Sequence, residues 1–144
     1  MRILIEAPKP GEEDTVIIKY HDIPTDLIDL LRNFKSSTGL LVGYKNNQTH
    51  KMSTTDIYYI DSVDNKTFAY CTKDVYELKE KLYEVEELNL KEFLRISKST
   101  IVNIKKVEYI KPALAGRFEA TLSNNEKVIV SRSYVKELKK AFGV

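Results

Sequence analysis

Two apolar segments flank a polar island in Phe93-Leu94-Arg95-Ile96-Ser97-Lys98-Ser99-Thr100-Ile101-Val102-Asn103. Apolar residues at 94, 96, 101, 102 and 104 alternate or cluster as a buried strand does. The island itself, Ser97-Lys98-Ser99-Thr100, carries hydroxyls and a lysine. Basic residues recur after it, at Lys105, Lys106, Lys111, Arg117, Lys127 and Arg132. The pattern predicts a β scaffold whose loops carry cationic tips.

The rest of the chain agrees with a mainly β fold. Residues 2–7 and 15–20 are rich in β-branched side chains and are expected to be strands. Pro8-Lys9-Pro10-Gly11 between them is loop chemistry. Apolar residues at 27, 28, 30, 31 and 34 predict an amphipathic helix that starts after Pro24. Strands follow at 40–44, 50–54, 56–63 and 67–72, with turns at 45–49 and at Asp64-Asn65-Lys66. Residues 73–88 fit two readings: one solvated helix, or a short strand at 75–77 ahead of a helix at 78–87. Their charge density favours the solvated helix. A helical turn is expected at 90–93, and short strands at 94–97, 100–104 and 107–111. A hairpin spans 117–130, and a helix over 134–142 is capped by Ser131 or Ser133 and ended by Gly143.

Charge is unevenly spread. Residues 49–90 hold five lysines against nine acids, whereas residues 91–144 hold twelve Lys and Arg against five glutamates. The last third is therefore expected to face a polyanion. No apolar run approaches the roughly 18 residues of a membrane span. The first residues lack signal-peptide character. The one cysteine, Cys71, excludes an internal disulfide and a cysteine-built zinc site. A cytoplasmic protein is expected.

Nothing in the pattern points to catalysis or to a cofactor. His21 and His50 stand apart from any metal-ligand spacing. No glycine-rich phosphate loop occurs. The pairs Asp61 with Asp64 and Glu86 with Glu87 fit a turn and a helix face. Cys71 has no histidine near it in sequence, and a β position predicts a buried, inert thiol. The chain is expected not to be an enzyme, with no metal, no cofactor and no small-molecule substrate.

Three passages together carry a resemblance. They are Asp56-Ile57-Tyr58-Tyr59-Ile60-Asp61-Ser62, then Phe93 to Asn103 followed by Ile104, Val107 and Ile110, then Val128-Ile129-Val130-Ser131-Arg132-Ser133-Tyr134 running into Leu138. The centre ends in Val-Asn, and Ser-Arg-x-Tyr begins 28 residues after Asn103. In order and spacing they resemble the LytTR DNA-binding domain of bacterial transcriptional regulators, over roughly residues 40–142.

The resemblance implies a ten-stranded fold of small antiparallel β sheets that reads double-stranded DNA with loops in successive major grooves. It places base contacts at Lys66, Lys98 and Arg132. An arginine fork matches guanine O6 and N7, the commonest specific contact in the major groove. Ser97, Ser99, Thr100, Ser131, Lys139 and Lys140 are expected to meet the phosphate backbone. Arg95 is expected on the polar face of a strand, touching phosphate or an acidic neighbour, and Asn103 is expected to tie a loop by its amide. The division is residues 1–39 as an N-terminal strand–strand–helix extension and 40–144 as the DNA-binding domain. The extension lacks the acidic pocket of the receiver domain that many response regulators carry. The chain thus resembles the short stand-alone regulators, some of which are paired with a small membrane protein. The extension is a candidate for homodimerisation or partner docking, or else a cap on a sheet edge. The alternative function is an interaction module whose basic face binds an acidic partner.

Overall fold

A computed structural model describes residues 2, 4–13, 15, 17–28, 40–88 and 90–144, without the Leu40 side chain. Among the described residues, ten strands form two antiparallel sheets. The first six are β1 (Leu40–Lys45), β2 (Gln48–Ser53), β3 (Ile57–Val63), β4 (Lys66–Cys71), β5 (Val75–Leu78) and β6 (Phe93–Arg95). Then come β7 (Thr100–Asn103), β8 (Val107–Pro112), β9 (Phe118–Leu122) and β10 (Lys127–Val130). Helix α1 (Leu82–Glu87) follows β5, and α2 (Val135–Phe142) closes the chain. The large sheet runs β2-β1-β5-β4-β3-β7-β6, and the small one β10-β9-β8.

Local chemistry sets the hairpins. Asn46-Asn47 (φ 51° and 60°) and Asp64-Asn65 (φ 52° and 62°) form the two-residue turns of β1–β2 and β3–β4. Asn and Asp take left-handed backbone at low cost, and such turns match strand twist. Long-range pairing then closes the sheet. At Gly43, a Cβ would lie 2.7 Å from the Tyr76 Cβ, so glycine lets β1 come against β5.

Alternation along the strands builds two cores. Ile60 faces Ile101 in the β3–β7 register and joins Leu41, Met52, Ala69, Leu78, Leu82 and Val85 under α1. Their neighbours Tyr59 and Val102 point the opposite way. There Val102 joins Ile96, Val107, Ala120, Leu122, Val130 and Leu138 between the small sheet and α2. β7 is thus sandwiched, which explains the adjacent apolar pair Ile101-Val102. Asn103 ends it, buried, with Nδ2 donating to the Ile57 carbonyl at 2.9 Å and Oδ1 accepting from Lys105 N–H at 3.1 Å.

Several expectations change. Residues 73–88 are not one helix: β5 pairs with β4 and β1, so the charged 77–81 segment spans a strand end and a bend. Lys91-Glu92 is a turn closed by Phe93 N–H on the Leu90 carbonyl (3.0 Å), not a helical turn. Neither serine caps α2 through its side chain; the chain enters through a 3-10 turn at Arg132–Tyr134. Gly143 ends α2 with φ 88°, as expected. The described residues within 2–7 and 15–20 form no strand. A strand needs a partner ladder, and an isolated hairpin is marginal in water. Leu4, Ile5 and Ile17 are exposed there. Residues 25–28 are helical, beginning with the Leu27 and Ile28 N–H groups on the Pro24 carbonyl. The rest of the expected helix lies outside the described residues.

Candidate nucleic-acid interface

The island of hydroxyls forms the loop between β6 and β7. Ile96 anchors it in the second core, with no exposed surface. Ile96 N–H donates to the Thr100 carbonyl at 3.0 Å, and Ser99 N–H donates to Ser97 Oγ at 3.2 Å. Short hydroxyl-to-backbone bonds of this kind stabilise tight turns. Thr100 Oγ1 donates to Asp61 Oδ1 (2.9 Å), and Ser62 N–H to the Ser99 carbonyl (2.8 Å), which fastens the loop to β3. Lys98 is left exposed at the tip.

Arg95 lies behind that tip. Its Nε donates to the Ser97 carbonyl at 2.6 Å, a second nitrogen donates to the Lys98 carbonyl, and a third pairs with Glu86 of α1. The acidic neighbour expected for Arg95 is therefore Glu86. Each of the three guanidinium nitrogens is thus engaged.

Arg132 arrives beside the same loop by a backbone link. Ser131 N–H donates to the Ile96 carbonyl at 2.8 Å. Arg132 is exposed, and its stem runs along Gly116, where a Cβ would sit 3.1 Å from Arg132 Cδ. Lys66 stands at the β3–β4 turn, 3.9 Å from Glu77 on β5.

The structure thus joins Lys98, Arg132, Ser97, Ser99, Thr100 and Ser131 on neighbouring turns. Sequence reasoning left Arg117 and Lys127 out of the site. A concavity of about 440 Å³ is lined by both of them, by Tyr59, by the hydroxyls of Ser97, Ser99, Thr100 and Ser131, and by Asp61, which Thr100 holds. Their basic character was visible in the sequence, but only the hairpin register brings them to this face. Among the described residues Lys98, Arg117, Arg132 and Lys140 have no ion-pair partner, whereas Lys111 and Lys127 each approach Glu119 at 3.6 Å. Lys139 lies over the Phe118 ring, 5.0 Å from its centroid. Burial and then Glu126 hold the Tyr59 phenol well above its ordinary pKa, so it stays neutral, and its ring stacks on that of Tyr70 with centroids 4.4 Å apart. Cys71 lies away from this face, its thiol pushed up to about 11 by burial and then by Asp56 and Asp74. That fits an inert thiol.

The β framework thus presents cations and short hydroxyls on adjoining turns, chemistry suited to an anion. The family model for the LytTr DNA-binding domain matches residues 47–143. The chain belongs to that family of DNA-binding domains, and double-stranded DNA is the partner class that membership carries. It is 28% identical over 127 residues to an HTH-type transcriptional regulator of Staphylococcus aureus (strain NCTC 8325 / PS 47), covering 88% of this chain and 85% of that one. It is 32% identical over 90 residues to the sensory transduction protein LytT of Enterococcus faecalis, covering 62% of this chain and 37% of that one. A LytTr DNA-binding domain from Bacillus cereus superposes with a TM-score of 0.70 at 26% identity, covering 74% of this chain and 99% of the other. Despite the name of the staphylococcal relative, no two helices among the described residues are joined by a short turn. No described helix is long and apolar enough to cross a membrane.

Proposed function

We propose that the chain is a sequence-specific transcription regulator that reads the major groove through Arg132 and Lys98, with Lys66 as a third tip. The observation that carries this reading is the Ser131–Ile96 backbone bond. It sets two exposed cations, without acidic partners among the described residues, on adjoining turns of a LytTr domain. Arg132 supplies a planar fork suited to guanine, and Lys98 a point charge on a braced loop. Ser97, Ser99 and Ser131 line the adjacent concavity, where short hydroxyls suit phosphate oxygens, while the Thr100 hydroxyl is given to Asp61. Lys139 and Lys140 on α2 add sequence-independent attraction. Arg95 holds the loop rather than meeting phosphate. Residues 1–39 are proposed as the surface for a second copy of the chain, supported by the exposed Leu4, Ile5, Ile17 and Ile23.

Selection of bound fragments from genomic DNA at physiological salt tests the reading. It predicts enrichment of fragments that share one short motif. Fragments retained without any shared motif would favour the alternative, a basic face for an acidic protein partner.

A further inference from the structure

Helix α1 reaches toward both lysine tips of the large sheet. At its start, Lys81 Nζ donates to the Asn65 carbonyl at 3.0 Å, one residue before Lys66. In its last turn Glu86 pairs with Arg95, which donates to the successive carbonyls of Ser97 and Lys98. Two such bonds fix the peptide planes on either side of Lys98. They therefore set the direction in which its side chain leaves the loop. The Arg95 side chain is only 19% exposed, while Glu86 is 46% exposed and supplies the counter-charge. The exposed Lys81 bond is the weaker brace, because a long solvated side chain gives up entropy to make it.

We propose that Glu86 and Arg95 are positioning residues that pre-orient Lys98 for the DNA bases, and that Lys81 does the same more weakly for the Lys66 turn. This rests on Lys98 being a base-contacting residue. Pre-ordering a loop removes an ordering cost from binding. It acts on the cognate complex, where Lys98 must reach one atom, far more than on loose backbone contact.

The sign of one substitution separates this role from others. Glu86→Gln removes a negative charge from a DNA-binding protein. If Glu86 only contributed charge, all duplexes would bind more tightly and equally so. If it only supported the fold, all would bind more weakly. As a positioning residue, its loss lowers preference while unrelated DNA binds as well or better, because the released Arg95 can swing toward phosphate. Arg95→Lys keeps the charge but not the fork. A plain phosphate contact would survive that change, and a brace would not.

The experiment titrates the full chain with the duplex enriched by the wild type and with a scrambled duplex of equal length, at one salt concentration. The expected ratio of the two affinities falls roughly threefold in Glu86→Gln and in Arg95→Lys, a part of one base contact, and by less in Lys81→Met. In the free protein, amide exchange at Ser99 quickens in Glu86→Gln, because its bond to Ser97 Oγ loses support. A Glu86→Gln protein with an unchanged ratio and unchanged Ser99 exchange overturns the brace. Lys98→Ala is the control. A lost ratio there beside an intact one in Glu86→Gln removes the brace alone. An intact ratio in Lys98→Ala removes both the brace and the base-reading role of Lys98.

Discussion

Lys98 and Lys66 are both lysines at turn tips of the large sheet, but their surroundings differ. Lys98 tops a loop whose carbonyls are held by a guanidinium, and its ammonium meets no acid among the described residues. Lys66 follows a two-residue turn in the acid-rich middle of the chain and lies 3.9 Å from Glu77. A surface ion pair of this kind contributes little to stability. It does compete with an incoming phosphate or base for the same ammonium. A tip's value for recognition therefore depends on what surrounds the cation as well as on its position. By that measure Arg132 and Lys98 outrank Lys66.

The largest effect is expected from Arg132→Ala. It should cost about 1–3 kcal/mol on the cognate duplex and little on unrelated DNA, measured by parallel titrations. Asn103→Ala is expected to destabilise the fold by about 1–3 kcal/mol in urea denaturation, because it strips a buried carbonyl of its donor. Asn103 ties the strand that follows the Lys98 loop to Ile57 at the start of the strand that leads to Lys66. Its loss should weaken both tips. Lys98→Ala should then cost about 1 kcal/mol of discrimination, and Lys66→Ala less. Equal losses would erase the difference between the two. The smallest change is Glu77→Gln. It frees Lys66 and should tighten DNA binding by a few tenths of a kcal/mol, a gain that vanishes in the Lys66→Ala background.

Much of this was legible before any coordinates. β-branched runs and Asn-rich turns mark the strands from 40 to 130 except β5, and the Val-Asn pattern points to the amide tie of Asn103. The 73–88 segment is misread as one solvated helix, because Val75, Leu78, Leu82 and Val85 satisfy both a helix and a strand followed by a helix, and charge density favours the wrong one. Only pairing with β4 and β1 decides between them. The strands expected at 2–7 and 15–20 failed in their described residues for the same reason. Propensity names a strand, but a ladder makes one. The site was legible as residue types in three passages. Its geometry was not, since the Ser131–Ile96 bond and the places of Arg117 and Lys127 depend on how the two sheets meet. Arg95 shows the limit most clearly. Its alternation with Leu94 and Ile96 pointed to a polar strand face, and its partner Glu86 lay on a helix whose start the pattern could not place.

The most direct measurement compares the wild type with a Lys98→Ala/Arg132→Ala double variant on the selected duplex and on its scrambled counterpart at physiological salt. The predicted result is a clear preference in the wild type that disappears in the double variant, with residual salt-sensitive binding to both duplexes. A double variant that keeps the full wild-type preference would show that sequence is read elsewhere on the molecule.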